Sequence, residues 1–275
     1  MHTNMRIILL LLIVLTISSC VKPNEEVTCE LNTINFNHNP DEFFNIKKDD
    51  NNKVVELISA TDPATRQVYT FNDLEQLVLR EDFFNFDNLG ENLVRSRFEY
   101  EYDGSGNIIK STIYAQSYSG GVALGLELNS INFYEYNSGH VSKIKSYNEF
   151  NGTNMYQGET LFTWVNDDLT FLNKLGQTGQ SDFSVKFTYD LNNESKIDSL
   201  SKNLYLEDLF ERGEALEGIR RSKHVLTSAV RKFGGLPEQV VNYVTTFNNK
   251  RYITSILEKT STDSYYVFRF DYLCK

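Results

Sequence analysis

The sequence has 275 residues with 27 basic and 37 acidic side chains, so its formal net charge is −10. An acidic surface repels phosphate backbones and anionic headgroups, and nucleic acid is therefore excluded as an expected partner. The length suits one large all-β domain or two smaller ones, and we expect a single domain with a continuous core.

The first twenty residues predict a bacterial lipoprotein signal. Arg6 precedes the apolar run Ile7–Ile17, which is followed by Ser18, Ser19 and Cys20. The run is about eleven residues long, which is too short to span a bilayer as a helix and typical of a signal peptide. The alternatives are a secretory peptide and an uncleaved anchor.

We therefore expect residues 1–19 to be removed as a signal peptide and Cys20 to carry acyl chains such as palmitate. Residues 20–30 then form a tether that leads into the first strand, and residues 31–275 form one mainly-β domain. Several acyl chains hold a protein firmly at a membrane. The predicted partner is thus a lipid bilayer, and the predicted location is the cell envelope, most readily the outer membrane.

Two further cysteines, Cys29 and Cys274, lie near the two ends of the mature chain. In an exported, oxidising compartment this even number predicts one disulfide bond, which would make the first and last strands neighbours. The alternative is a pair of buried thiols. Between the tether and the first repeats, Asn, Asp and Pro at residues 35–52 predict a loop-rich segment.

A short unit recurs along the chain. Two aromatic residues flank one polar residue, and Asp or Asn, a turn and a second apolar stretch follow. The clearest copies span residues 98–110 and 133–144, and weaker copies span 66–79, 161–172, 185–197 and 245–256.

Each unit predicts a β-hairpin, because alternation places one face inward and Asp, Asn, Gly and Ser supply the turn. Phe98, Tyr100 and Tyr102 share one face of such a strand, and Glu99 and Glu101 share the other. The C-terminal segment 266–272 repeats this alternation. We expect an antiparallel hairpin meander that forms a strongly curved or barrel-like sheet.

Residues 204–233 depart from this rhythm and predict a helical excursion. Apolar residues recur near helical spacing among acidic ones, and these are Leu206, Leu209, Phe210, Leu216 and Ile219. We expect a short amphipathic helix over 204–219 that covers an open end or face of the sheet.

Together these features resemble a family of exported lipoproteins from Bacteroidota-type bacteria. Its members combine a lipobox, Tyr-x-Tyr-Asp-x-x-Gly-x-hydrophobic-x-Lys hairpins, a late helical excursion, a Ser-Lys-Asn-Leu-Pro-like segment and a final aromatic strand. Here the hairpin motif is best matched at 98–110 and 133–144, and Ser222-Lys223-His224 corresponds to the Ser-Lys segment without its Asn-Leu-Pro. The resemblance covers most of residues 50–275 and implies a porin-like curved sheet of unknown function, with no catalytic residues.

The sequence predicts no cofactor, no metal site and no catalytic residue. His38, His140 and His224 are widely separated and are expected on the surface or in turns. Residues 103–107 resemble the start of a calcium loop, but Tyr114 stands where the loop requires a bidentate Glu, so we interpret them as a β-turn. Motifs for nucleophilic catalysis, phosphate loops and dinucleotide binding do not occur.

Aromatic residues are the better functional clue, with 16 Tyr, 19 Phe and one Trp. Tyr and Trp combine a flat apolar face with a polar edge, which suits stacking on sugar rings. Most of these rings alternate with charged residues and are expected in the core. Five are expected in or beside Gly- and Asn-rich loops and are candidates for ligand contact: Trp164, Tyr114, Tyr118, Tyr147 and Tyr156.

The sequence therefore favours a non-catalytic binding or interaction module for a glycan or an envelope protein. One alternative is a glycan-acting hydrolase with paired carboxylates about 5–9.5 Å apart, and another is a purely structural envelope component. A transmembrane barrel is not expected, because the chain is predicted to have too few long strands and already carries a lipid anchor.

Overall fold

The computed structural model describes residues 29–35, 43–51, 53–84, 93–150, 152–195 and 222–274, and of residues 265–267 and 274 it describes the backbone alone. Within these ranges it contains sixteen strands and no helix. The strands are β1 (Cys29–Asn35), β2 (Phe44–Lys48), β3 (Val54–Ser59), β4 (Arg66–Phe71), β5 (Leu77–Phe83), β6 (Val94–Tyr102), β7 (Ile108–Ser119), β8 (Val122–Asn137), β9 (His140–Phe150), β10 (Thr153–Val165), β11 (Asp168–Gly176), β12 (Ser181–Glu194), β13 (His224–Phe233), β14 (Gln239–Phe247), β15 (Ile253–Lys259) and β16 (Ser264–Cys274).

The strands form a closed antiparallel barrel in which each strand neighbours the strands before and after it in the chain, and β1 lies beside β16. The predicted mainly-β meander is thus confirmed. The clearest predicted hairpins are present, since Tyr102 pairs with Ile108 across β6 and β7 and Asn137 pairs with His140 across β8 and β9. The weaker units at 66–79, 161–172 and 245–256 are hairpins as well. The unit at 185–197 is not a short hairpin, because residues 185–194 lie in the single strand β12.

The chain divides into two compact units. The larger unit, residues 31–272, holds β2 to β15 and most of β1 and β16. The smaller unit comprises residues 1–30 and 273–275, of which Cys29, Glu30, Leu273 and Cys274 are described. The predicted signal peptide, the tether to residue 28 and Cys20 lie outside the described residues.

Turns alternate between the two ends of an antiparallel meander. We call one end the Asx end, because Asp and Asn begin several of its turns, which lie at 49–53, 72–76, 103–107, 138–139, 166–167 and 248–252. We call the other the open end, and its turns include those at 60–65, 120–121, 151–152, 177–180, 234–238 and 260–263.

The alternation in the sequence sets which side chains point inward. Phe98 and Tyr100 are buried inside the barrel, while Glu99 and Glu101 between them lie on the outer face. All sixteen strands contribute buried apolar side chains to one contiguous cluster. The interior at this level is therefore packed with side chains.

Three expectations need correction. Residues 224–233 form strand β13 rather than part of a helical excursion, and the predicted helix at 204–219 lies outside the described residues. Residues 44–48 form β2 within the segment expected to be loop-rich, because Phe44 and Ile46 supply an inward apolar face. Long strands are also more numerous than expected, since β8 has 16 residues and β12 has 14. The described ranges include no helix with the length and hydropathy of a membrane span.

A candidate ligand-binding vestibule

A cavity of about 790 Å³ occupies the open-end half of the barrel interior between β4 and β12. We call it the vestibule. Its volume lies in the range of small-molecule sites. Neutral amides are the most numerous class of lining side chain, namely Gln67, Gln116, Asn129, Asn132, Asn148 and Gln157. Hydroxyl groups add to them, namely Ser96, Ser130, Ser146 and Thr160. Five charged residues line the cavity as well, namely Asp82, Arg95, Glu159, Lys174 and Asp182.

The floor of the vestibule consists of buried residues. Gln67, Asp82, Phe98, Asn132 and Thr160 are each less than one-tenth exposed, yet each lines the cavity. They come from five different strands, so barrel closure, and not local sequence, brings them together. The floor is therefore a polar surface set deep inside the fold.

Three floor residues each have a hydrogen-bonding group that no other protein atom satisfies. The hydroxyl of Tyr69 donates to Gln67 Oε1 at 2.7 Å, and Asn132 Nδ2 donates to Ser111 Oγ at 3.4 Å. Within the described chain, the Gln67 amide nitrogen, the Asn132 amide oxygen and the Thr160 hydroxyl have no protein hydrogen-bond partner. Buried polar groups are almost always satisfied, so these three face water or a ligand.

Asp82 is the one buried carboxylate on the floor, and it is held by Arg80. Arg80 Nε donates to Asp82 Oδ1 at 2.8 Å, and Arg80 Nη2 donates to Oδ2 at 2.5 Å. The guanidinium also lies 4.2 Å from the centroid of the Phe98 ring. A bidentate pair of this kind is a strong, charge-assisted interaction, which makes Asp82 a positioned acceptor.

The rim of the vestibule is exposed and carries most of its charge. The Arg95 guanidinium lies over the Phe84 ring at 5.0 Å. Tyr118 is 46% exposed and precedes the Gly120–Gly121 turn at the open end by two residues. The other exposed lining residues are Asn129, Asn148, Lys174 and Asp182. The vestibule thus reaches solvent at the open end.

Two glycines shape one wall. Gly158 of β10 pairs with Gly176 of β11. A Cβ at Gly158 would lie 2.1 Å from the Leu175 carbonyl oxygen, and a Cβ at Gly176 would lie 2.5 Å from Asp182 Oδ2. Because the contact at Gly158 is with backbone, only glycine allows β10 and β11 to approach at this point, whereas the contact at Gly176 is with the end of the Asp182 side chain.

The five candidate aromatic residues do not form one site, and all five lie within strands instead of loops. Tyr118 alone lines the vestibule. Tyr147 and Tyr156 meet on the outer face with ring centroids 5.5 Å apart. Tyr114 lies on the outer face of β7, where it pairs with Leu128. Burial, with smaller effects of Glu159 and Tyr147, raises the pKa of Tyr156.

Trp164 lies at the Asx end, away from the vestibule. Its ring packs against the core, and Nε1 donates to the Val141 carbonyl oxygen at 2.8 Å. His140 stacks on it with centroids 4.6 Å apart. Trp164 is therefore half-buried in the packing of the barrel end, although the sequence had placed it among the least buried rings.

The segment after the undescribed residues 196–221 docks at the Asx end. His224 Nδ1 lies 2.7 Å from Asp168 Oδ2, and Ser222 Oγ accepts the Leu169 N–H at 2.9 Å and donates to the Tyr189 hydroxyl at 2.8 Å. These contacts make Ser222 and His224 structural anchors. No group of three or more His, Cys, Asp or Glu side chains suited to a metal occurs among the described residues.

Sequence reasoning missed the floor residues because it followed the aromatic rings. A signal was available, since Asn132 shares the inward face of β8 with Tyr134 and Tyr136, and Ser111 faces it from β7. Polar residues at inward-facing positions of an otherwise aromatic strand indicate where the packed core ends and a polar interior begins.

No protein-family model matches the sequence, and no curated protein matches it. Among solved structures, the fold is similar to a porin-like protein from Bacteroides vulgatus, with 9% identity, a TM-score of 0.42 and coverage of 88% of this chain and 97% of that chain. It is also similar to a porin-like protein from Bacteroides uniformis, with 12% identity, a TM-score of 0.35 and coverage of 89% and 98%. A third similar structure is the Tc holotoxin pore of Photorhabdus luminescens, with 11% identity, a TM-score of 0.26 and coverage of 82% of this chain and 11% of that chain. At these values the similarities assign no function.

Proposed function

We propose that this protein is a non-catalytic cell-envelope lipoprotein that binds a neutral glycan in the vestibule. The observation that carries the proposal is the set of three buried floor residues, Gln67, Asn132 and Thr160, with unused polar capacity facing the cavity. Leaving such groups without any partner is costly. A ligand rich in hydroxyl groups can replace the water that satisfies them in the free protein.

The character of the lining favours a neutral ligand. Its charged side chains lie mainly at the rim, and the one buried carboxylate, Asp82, is paired with Arg80. Amides and hydroxyls both donate and accept hydrogen bonds, as sugar hydroxyls do. Because Asp82 is engaged in a bidentate pair, the floor lacks an unpaired carboxylate pair of the kind that glycan hydrolysis uses, and we propose binding without catalysis.

The outer face supports a barrel that is tethered to a membrane rather than inserted in it. Lys110 Nζ lies 2.6 Å from Glu101 and Lys145 Nζ lies 2.7 Å from Glu135, and the Lys145 hydrogen bond lowers the pKa of Glu135. Strands that face lipid present an uncharged apolar band. We therefore propose attachment through acylated Cys20 as in the exported lipoproteins that the sequence resembles, most readily to the outer membrane.

An envelope protein is the second candidate partner. It is favoured by the outer-face ring cluster, in which the Phe133 and Tyr147 centroids lie 5.7 Å apart and Tyr156 continues the row. Crosslinking in intact envelopes, compared between the parent protein and Tyr156→Ala, tests this partner separately. Loss of one specific adduct in Tyr156→Ala supports it.

The primary test is thermal unfolding of residues 20–275 with Cys20→Ser in the presence of neutral polysaccharides, acidic polysaccharides and peptidoglycan fragments. A ligand at 100 times its Kd stabilises the folded state by about 2.7 kcal/mol, which raises the Tm by about 5–11 °C in a domain of this size. We expect a shift with a neutral glycan. No shift with any glycan contradicts the proposal.

A matched pair of variants then locates the site. Thr160→Val removes a floor hydroxyl, whereas Thr163→Val makes the same change on the exposed outer face of the same strand. Loss of one hydrogen bond worth about 1.4 kcal/mol weakens binding about tenfold. We expect that loss in Thr160→Val alone, measured by calorimetric titration, and equal affinities for both variants would place the ligand elsewhere.

A further inference from the structure

Among the described residues, packed side chains lie between the vestibule floor and the Asx end. One apolar cluster contains side chains from every strand of the barrel, and partly buried rings at the Asx end pack against it. Among these rings, Tyr102, Trp164 and Tyr189 each donate a hydrogen bond to a backbone carbonyl at 2.7–2.8 Å. The described part of the interior between the floor and the Asx end is therefore packed with side chains, and hydrogen bonds to the backbone hold three of its rings in place.

Phe98 marks the boundary between these two parts of the interior. It belongs to the apolar cluster and also lines the vestibule. The polar floor thus lies directly on packed apolar side chains. Solvent reaches it from the open end, where Tyr118, Asn129 and Asn148 are exposed around the cavity.

Resting on the proposed function, we infer that the vestibule binds the end of a glycan chain and not its middle. A linear polymer lies along a cleft or passes through a channel only where it has a way in and a way out. A cavity with one mouth and a buried floor admits a chain terminus. The terminal units then reach Gln67, Asn132 and Thr160, and the following units lie at the rim beside Tyr118.

This inference predicts that the amount of bound protein depends on the number of chain ends and not on the mass of polysaccharide. We would compare equal masses of a polysaccharide that binds, its fragments after cleavage within the chain, and cyclic oligosaccharides of the same sugar, using residues 20–275 with Cys20→Ser. The amount of bound protein is expected to rise in proportion to the number of ends, and cyclic oligosaccharides are expected not to bind.

Different failures have different meanings. If the amount bound depends on mass alone, or if cyclic and linear oligosaccharides bind equally, binding along the chain is established and the chain-end inference is overturned, while glycan binding stands. If no glycan binds, both are overturned.

Variants resolve the two parts of the site. Thr160→Val is expected to weaken binding of short and long oligosaccharides alike, because the terminal units contact the floor. Tyr118→Ala is expected to remove only the gain in affinity with chain length. Phe171→Ala, an aromatic change on the exposed outer face of β11, serves as the control and is expected to leave both unchanged. A Tyr118→Ala variant that keeps its length dependence contradicts the inference.

The single mouth is also testable without any glycan. Thr160→Cys places a thiol on the floor with little change in volume, and Asn148→Cys places one at the rim. A small maleimide is expected to label both, and a maleimide on a long polyethylene glycol chain only Asn148→Cys, with the parent protein as background and Tm as the check on folding. Equal labelling of both variants by the large reagent contradicts a floor that lies deep in a one-mouthed cavity.

Discussion

Four turns at the Asx end share one hydrogen-bond pattern, which begins at Asp49, Asn72, Asp103 and Asn248. In each turn the side-chain Oδ1 accepts the N–H groups two and four residues further on, at 2.8–3.0 Å. The backbone N–H of the same residue donates to the carbonyl four residues on. Asp and Asn serve equally because the turn needs only one side-chain oxygen as acceptor, which explains their recurrence after each aromatic strand.

The fourth residue of three of these turns has a positive φ, at Glu75 (63°), Gly106 (85°) and Arg251 (68°). For residues that have a Cβ atom, this left-handed backbone conformation costs about 1–2 kcal/mol. We therefore expect Gly106→Ala to lower the free energy of unfolding by about that amount in urea titrations. Gly104→Ala in the same turn is the control, since Gly104 has open space and no positive φ. Equal losses in both variants would contradict the argument.

The turn at Asp103 predicts a local pH dependence. Hydrogen bonds from Asn107, first from its backbone and then from its side chain, lower the pKa of Asp103 below its ordinary 3.8. Because the folded pKa is below the unfolded one, this contribution to stability is present above about pH 4 and is lost as the pH falls through the folded pKa. We expect Asp103→Asn to flatten the acid limb of stability against pH, measured by urea midpoints.

The turn at residues 72–76 allows the reverse substitution, because it has Asn72 at the position that corresponds to Asp103. Asn72→Asp is expected to add an acid-sensitive contribution of the same sign. If neither exchange changes the acid limb, the turn carboxylate has no part in the acid sensitivity of the fold.

At the scale of strands, an inward-facing tyrosine near the end of a strand forms a hydrogen bond to the backbone of the preceding strand. Tyr102 of β6 donates its hydroxyl to the Leu77 carbonyl of β5 at 2.7 Å, and Tyr189 of β12 donates to the Leu169 carbonyl of β11 at 2.7 Å. The ring packs against the core while the polar edge satisfies a backbone group. In these two units the second aromatic residue of the repeat thus contributes a hydrogen bond as well as buried area.

Tyr102→Phe keeps the ring and removes this hydrogen bond. We expect the free energy of unfolding to fall by about 0.5–1.5 kcal/mol, because a hydrogen bond of a half-buried group contributes about that much. Tyr118→Phe at the exposed rim is the control and is expected to leave stability unchanged. Urea titration of both variants checks this, and an undiminished stability of Tyr102→Phe would mean that ring packing alone matters.

The strands and turns were predictable from sequence because their signals are local. Alternation around Phe98 and Tyr100 and the Asp103 turn lie within a dozen residues of one another. The position of β2 was not predictable, since Phe44 and Ile46 stand among Asn, Asp and Lys and gain their partners only when β1 and β3 flank them. The vestibule floor was missed for the same reason, because Gln67, Asn132 and Thr160 are distant in sequence.

For the whole molecule, strand number does not decide whether a barrel is hollow. Barrels of 16 strands can enclose an aqueous channel. The alternation of inward and outward residues in the sequence is the same for a hollow barrel and for a filled one. Here large inward side chains such as Tyr100, Tyr134 and Phe162 fill the half towards the Asx end, while smaller polar ones such as Ser130 and Ser146 leave the open-end half unfilled. The size of inward residues along each strand therefore divides the interior into a packed part and a vestibule.

Closure of the barrel is the long-range event that a Cys29–Cys274 disulfide would stabilise. Cys29 is buried at the start of β1, Cys274 ends β16, and these two strands are neighbours in the closed sheet. On the chain-entropy argument, a bridge across nearly the whole domain stabilises by about 5 kcal/mol. We expect mass spectrometry of the unreduced protein to show one peptide pair joined through these residues, and Cys274→Ser to lower the urea midpoint strongly. Two alkylatable thiols in the folded, unreduced protein would mean that strand pairing alone closes the barrel.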